Sequence, residues 1–317
     1  GPIKSLWDEG KVAVINGIGY QNPNRSHFRS MDIWHTAEPD AIGKEGWLGR
    51  AVRELDPLGE NVLTAVNFGR GLPRALGCPG VSVASVGDLE TYGLFPDVQD
   101  EELRMFTLEA FSRMYGGAAG RDPVMQMLGQ TGQDALQGAD IPRTAPAMYS
   151  SSVEYAPDSL AQNVKSISQV FHANVGARVL YTQHGPFDTH AGELISHAKL
   201  WDEVAGSVGC LMDDLKEHGT ENDASILIFS EFGRRIQDNG SGSDHGSGGV
   251  AFMIGGAVNG GTYGEYPSLA KAEQIEGDLR SNNDFRSVYT GILEDWLGLD
   301  AAPIVNGQFE KFDLFKS

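Results

Sequence analysis

Residues 192–229 read GELISHAKLWDEVAGSVGCLMDDLKEHGTENDASILIF, and a change of period inside this stretch decides the fold class. Leu194, Ala198, Trp201, Ala205, Val208, Met212 and Leu215 step by four and three, which lines them along one face of a helix. Gly219 stands where a left-handed residue would end that helix. The following run, Ser225 to Phe229, has no helical period and is apolar without interruption, so it reads as a buried strand. A helix leading into a buried strand is half of a βαβ unit.

Runs of the same kind recur on either side of this unit. Val12 to Ile15, Val62 to Val66, Val81 to Ala84, Val179 to Thr182, Ile226 to Phe229 and Val250 to Ile254 are too continuously apolar for half-exposed strands, and central positions are expected for them. A second helix is expected from Phe285 to Leu297, with Asp284 at its amino end, a stripe of Val288, Ile292 and Trp296, and Gly298 beyond it. Between about Tyr92 and Asn174 the pattern is mostly helical, with Gly116-Gly117 and Gly120 as breaks and Pro142 to Pro146 as a looser linker. The expected architecture is α/β: one domain over residues 1–317, a mostly parallel sheet flanked by helices, and a helical insertion or lid over about 92–174.

Composition narrows the function classes. The 317 residues carry 24 Lys plus Arg against 43 Asp plus Glu, a net charge of −19 that repels nucleic acid and anionic lipid. No apolar stretch approaches a membrane span, so membrane insertion is not expected. Cys78 and Cys210 are the only cysteines, far apart, and they form neither a disulfide framework nor a thiolate metal site.

Sites in open α/β sheets form at the carboxyl ends of strands, so the residues after each apolar run matter most. After Val179 to Thr182 comes QHGPFDTH, in which Asp188 and His190, two apart, share a face if extended and could converge on one ion, or could cap and open the following helix. After Ile226 to Phe229 comes SEFGRR, which puts the carboxylate of Glu231 off the end of a buried strand, against a metal or one of the two arginines. Arg234 and Arg235 could also hold an anionic group of a substrate. The run NGSGSDHGSGG over residues 239–249 is a glycine-rich loop carrying Asp244 and His245, ahead of Val250 to Ile254. In Asn22 to Phe28, Ser26 stands at the start of a helix, as a plain cap or as a hydroxyl in the field of the helix amino end.

Six ordered segments carry a family resemblance: Asn24-Arg25-Ser26-His27-Phe28, Gly46-Trp47-Leu48-Gly49-Arg50, Phe187-Asp188-Thr189-His190, Ser230-Glu231-Phe232-Gly233-Arg234, Asp244-His245-Gly246 and Asp284-Phe285-Arg286-Ser287-Val288-Tyr289. From near residue 6 to about residue 299 the chain resembles the domain of unknown function 1501 family, which is similar in turn to the alkaline phosphatase and sulfatase superfamily. The resemblance implies an alkaline-phosphatase-like domain with Ser26 as nucleophile, Asp188 and His190 as one pair of metal ligands, Glu231 as the next strand-end ligand and His245 as the late histidine ligand. It also implies a periplasmic or extracellular home.

The expected activity is therefore metal-dependent hydrolysis of a phosphate or sulfate ester of a small molecule or saccharide. Ser26 attacks, Arg25 or Arg234 binds the non-bridging oxygens, and His27 or His184 serves the leaving group. Asp188, His190, Glu231, Asp244 and His245 surround a divalent metal, zinc before manganese or iron. The alternative is a non-catalytic metal-binding or surface-assembly protein that keeps the fold. The family also carries an earlier strand whose Gly-Gly-x-Asp turn joins the site. With nothing ahead of Gly1, Val12 to Ile15 is expected at an exposed sheet edge or paired with another chain, and an oligomer is one way to cover it.

Overall fold

The first strand, β1 (Val12–Gly19), shows why its sequence is apolar at successive positions. Ala13 and Ile15 enter one core while Val12 and Val14 pack into another on the opposite face. A strand covered on both sides has no face to spare for polar residues. The computed structural model describes residues 1–89, 100–116 and 141–316.

The main sheet has five strands and is mixed. β8 (Gly249–Ile254) runs antiparallel to β1, from Val12↔Ile254 to Ile18↔Gly249, and β5 (Ile226–Ile228) runs antiparallel to β8 on its far side. On its other side β1 meets β9 (Gly261–Tyr263) along Ala13 to Ile15 and β10 (Asn283–Asp284) at Ile18 and Gly19, both parallel. Two expectations fail here. β1 is an interior strand with partners on both sides, because the short polar segments β9 and β10, which carry no apolar run, supply the second partner. A wholly parallel arrangement is found in a separate three-stranded sheet, β3 (Ala84–Val86), β2 (Ala65–Phe68) and β4 (Val179–Thr182), whereas the main sheet mixes both senses. β4 and β5 consequently do not close a βαβ unit in one ladder.

Helices cover both faces. α1 (Pro2–Asp8), α6 (Ser159–His172) and α7 (Glu193–Glu217) pack on the face of Val12. α2 (His27–Thr36), α3 (Trp47–Leu55) and the carboxyl-terminal helices α8 (Arg286–Gly291) and α9 (Ala302–Val305) pack on the face of Ala13. A π-helical turn, Ile292–Trp296, continues α8 to Gly298, which takes φ 71°. Asp284 Oδ1 accepts from the Arg286 amide at 2.9 Å, as its place before the helix suggests. In this core Trp34 stacks on Phe285 at 4.4 Å and Trp47 on Tyr289 at 3.9 Å, and the Tyr289 hydroxyl donates to the Trp34 carbonyl at 3.0 Å. These contacts fix the carboxyl half of α2 and so aim its first turn.

The sequence places other boundaries less well. β2 and β3 begin three residues later than the apolar runs that announce them; Val62 and Leu63 are buried in the turn before β2 rather than in its ladder. In α7 the buried stripe is Leu200, Val204, Val208, Leu211 and Leu215, whereas Leu194 is 87% exposed. Of the region from 92 to 174, the described parts are mostly helical: α4 (Glu101–Gly116), α5 (Ile141–Met148) and α6, with a non-helical segment over 149–158 between the last two. Pro142 to Pro146, read as a looser linker, lies inside α5. Gly117 and Gly120 fall outside the described residues, as do the others of 92–99 and 117–140. No helix among the described residues is long and apolar enough to cross a membrane, and Cys78 and Cys210 are both free.

Candidate metal centre

Strand direction decides which residues can meet. The carboxyl ends of β1 and β5 lie at the same sheet edge as the amino end of β8, because β8 is antiparallel to both. The segment ahead of β8 therefore joins the segments that follow the other strands. It forms a hairpin, β6 (Arg234–Asp238) with β7 (Ser243–His245), in which Arg234 is opposite His245. Glycine is required where this hairpin meets β8: a Cβ at Gly233 would sit 2.0 Å from the Gly248 carbonyl oxygen, and one at Gly246 would sit 2.6 Å from the Arg234 carbonyl.

Asp188, His190 and His245 come together, each offering a ligand atom within 4.8 Å of the others. Asp188 Oδ1 is 2.5 Å from His245 Nε2 and 3.1 Å from His190 Nε2. The two rings are 4.6 Å apart. On their outer sides, His245 Nδ1 lies 2.8 Å from the Arg25 carbonyl oxygen and His190 Nδ1 lies 3.1 Å from Asp244 Oδ1, so each Nδ1 has an acceptor for a proton. Without an ion the Asp188 carboxylate accepts from His245 Nε2; with the ring protons on Nδ1 instead, the two Nε2 lone pairs and Asp188 Oδ1 would face one another and would need positive charge among them. Two imidazolium rings side by side would repel, whereas one divalent ion takes all three donors, so the residues fit a metal.

Electrostatics agrees with this grouping. The His245 hydrogen bond, with further attraction from His190 and His27, holds the Asp188 carboxyl below its ordinary value. His190 and Asn239 lower Asp244 in the same way. Asn239 Nδ2 donates to Asp244 Oδ1 and to the His190 carbonyl, both at 3.1 Å, so Asp244 supports His190 from outside the ligand group.

The remaining expected residues take other places. Glu231 is buried, but its Oε1 is 2.5 Å from His27 Nδ1 and its Oε2 accepts from the Ser230 hydroxyl at 2.9 Å. It orients His27 and stands outside the ligand group. Ser26 occupies the N-cap position of α2, exposed, and its hydroxyl makes no cap hydrogen bond. It lies between Arg25, whose carbonyl touches His245, and His27, whose ring meets Glu231. His184 Nε2 is 2.9 Å from Glu203 Oε2 but off the line of a hydrogen bond.

Both arginines expected at a substrate anion are engaged elsewhere. Arg25 donates from Nε and Nη2 to Asp278 Oδ2 at 2.9 and 2.7 Å, with Glu276 at 3.2 Å. Arg234 donates to the carbonyls of Phe187, Thr189 and Ser243 at 2.5, 2.8 and 3.0 Å. It therefore fastens the Asp188-His190 segment to the His245 hairpin. Glu193, which the sequence reading passed over, does related work, accepting from the Ser243 amide at 2.5 Å and hydroxyl at 2.8 Å. An acid in the first turn of a helix was its one signal.

The family described as "Protein of unknown function (DUF1501)" matches residues 92–287. That interval holds Asp188, His190, Glu231, Asp244 and His245, and excludes the segment around Ser26 that the resemblance had included. No curated protein and no solved structure matches the chain.

Proposed function

The chain belongs to the DUF1501 family of proteins of unknown function, and we propose that it is a metal-dependent hydrolase of phosphate or sulfate esters, of alkaline-phosphatase-like fold and working outside the cytoplasm. The observation that carries this reading is the convergence of His245 Nε2 and His190 Nε2 on Asp188 Oδ1, at 2.5 and 3.1 Å. Zinc, then manganese or iron, suits two nitrogens and a carboxylate. When bound at Asp188, His190 and His245, the metal supplies positive charge to the oxygens of the transferred group.

The chain's own residues supply the rest. Ser26 at the amino end of α2 presents a free hydroxyl in the favourable field of the helix, one peptide from the carbonyl that holds His245. Its Oγ attacks phosphorus or sulfur, the Ser26–O–P or Ser26–O–S bond forms, and the bond to the leaving oxygen breaks. His27, held through Nδ1 by Glu231, keeps Nε2 for taking the hydroxyl proton and passing it to the leaving oxygen. Water then cleaves the ester on Ser26.

The engagement of Arg25 and Arg234 favours one second reading, a metal-binding protein without turnover, since neither guanidinium is left for a substrate. The test is hydrolysis of nitrophenyl phosphate and nitrophenyl sulfate by chelator-stripped protein, with zinc, manganese or iron restored. Turnover that disappears in Ser26→Ala supports the hydrolase. Stoichiometric metal uptake with no turnover of either ester selects the second reading.

A further inference from the structure

α7 begins beside the candidate metal centre and, 25 residues later, ends at a second cluster. At 1.5 Å per residue the two are separated by roughly 37 Å, and the second lies where α6 and α7 turn toward the amino ends of β4 and β5. It consists of His172 at the end of α6 with Asp214 and His218 at the end of α7, each offering a ligand atom within 4.8 Å of the others.

Asp214 is fully buried and ionised in an unusual setting. Its Oδ2 accepts hydroxyl hydrogen bonds from Tyr149 at 2.5 Å, Tyr155 at 2.8 Å and Ser168 at 2.6 Å. Burial opposes ionisation, yet these hydroxyls leave the carboxyl below its ordinary value. Oδ1 has no hydrogen-bond partner among the described residues, although His218 Nδ1 stands 3.2 Å away. A buried carboxylate oxygen without a hydrogen bond among the described residues is unfavourable, and this one is turned toward the His218 imidazole.

The two imidazoles are poised around it. Their rings are 4.1 Å apart. His172 Nε2 is 3.2 Å from the Thr220 hydroxyl, and His218 Nε2 is 3.1 Å from the Ser150 carbonyl. These are outer partners of the kind that ligating histidines use to fix their tautomer. The inner Nδ1 atoms lie by Asp214: that of His172 is 3.1 Å from the same Ser168 hydroxyl that donates to Asp214. Without an ion, these nitrogens donate to the carbonyls of Ser168 and Asp214 at 2.9 and 2.8 Å.

We propose that His172, Asp214 and His218 bind a structural divalent transition-metal ion of the zinc kind, through the two Nδ1 atoms and Oδ1, with water in the fourth position. Two nitrogens and one carboxylate oxygen suit zinc better than calcium or magnesium. The ion ties the ends of α6 and α7 to each other, and to the segment of Tyr149 and Tyr155 through the Asp214 hydroxyl network. The site does not depend on ester hydrolysis at the other end of α7.

The test removes the first centre by combining Asp188→Ala, His190→Ala and His245→Ala, strips the protein with chelator and titrates it with cobalt(II) alone. One equivalent is expected to bind with a ligand-field absorption band, to be displaced by zinc, and to be lost when His172→Ala is added with circular dichroism unchanged. Should His172→Ala not fold, His218→Gln takes its place under the same readings. The proposal is overturned if the folded triple variant binds less than about a tenth of an equivalent, or if the full equivalent survives either substitution.

Discussion

Two groups of the same composition, two histidines and an aspartate, stand at opposite ends of α7. In the first, the ligands come from a loop and from the end of the β7 strand, and Asp188 is 40% exposed on its side chain. In the second, they come from the last turns of two packed helices and Asp214 is wholly covered. Partners also differ: among the described residues Asp188 meets only imidazoles, whereas Asp214 has three hydroxyls on one oxygen. Residue type alone therefore says little about the work a cluster does. Under the two proposals, access for a substrate belongs to the first, and cohesion of the fold to the second.

The contrast can be broken by experiment. The largest effect is expected from Ser26→Ala, which should lower kcat on a nitrophenyl ester by on the order of 10⁴-fold with metal content unchanged. A fully active variant would remove catalysis from the exposed end. Next, Asp214→Ala strands one buried and two partly buried hydroxyls and should cost roughly 3 kcal/mol of unfolding free energy in urea, while Asp188→Ala in metal-free protein should cost under about 1 kcal/mol. Equal losses would erase the distinction between the two ends.

Acid should act on the region behind the first group. Burial, opposed by Asp32 and Glu231, lowers His35 from 6.5 to about 4. The unfolded chain thus takes the proton first as pH falls, and stability that is complete above about pH 6.5 declines until about pH 4, by ~3 kcal/mol. Comparing the pH dependence of unfolding in wild type and His35→Gln isolates this part; identical slopes would show that His35 does not contribute. The smallest effect belongs to Asp244→Asn, which loosens His190 from outside and should weaken zinc binding at the first group about tenfold, read by competition with a chromophoric chelator.

Much of this arrangement was legible in the sequence. A run apolar at every position reports burial on both faces, and β1, β4, β5 and β8 stand where such runs are. The run carries no sign of direction, however, so β8 was read as parallel. Yet His245 precedes β8, and only an antiparallel β8 lets a preceding residue reach the edge where β1 and β5 end. The site implied the strand's sense before any coordinate did. Burial without pairing accounts for the late starts of β2 and β3, since Leu63 is enclosed by a turn. Arg25 and Arg234 were misplaced for a different reason: their partners include backbone carbonyls and Asp278, some 250 residues beyond Arg25, and neither leaves a trace in local spacing.

Arg234 has one more consequence, in the time domain. Its guanidinium joins Phe187 and Thr189, on either side of Asp188, to Ser243 two residues before His245, all through main-chain oxygens. The candidate ligand segments are thus tied together by the protein itself, and on the proposed reading ion uptake would need no slow loop closure. In stopped-flow mixing the wild-type protein should capture zinc in a single phase whose rate rises linearly with zinc concentration. Arg234→Met, free to let the two segments part, should show a rate that levels off at the speed with which they meet again.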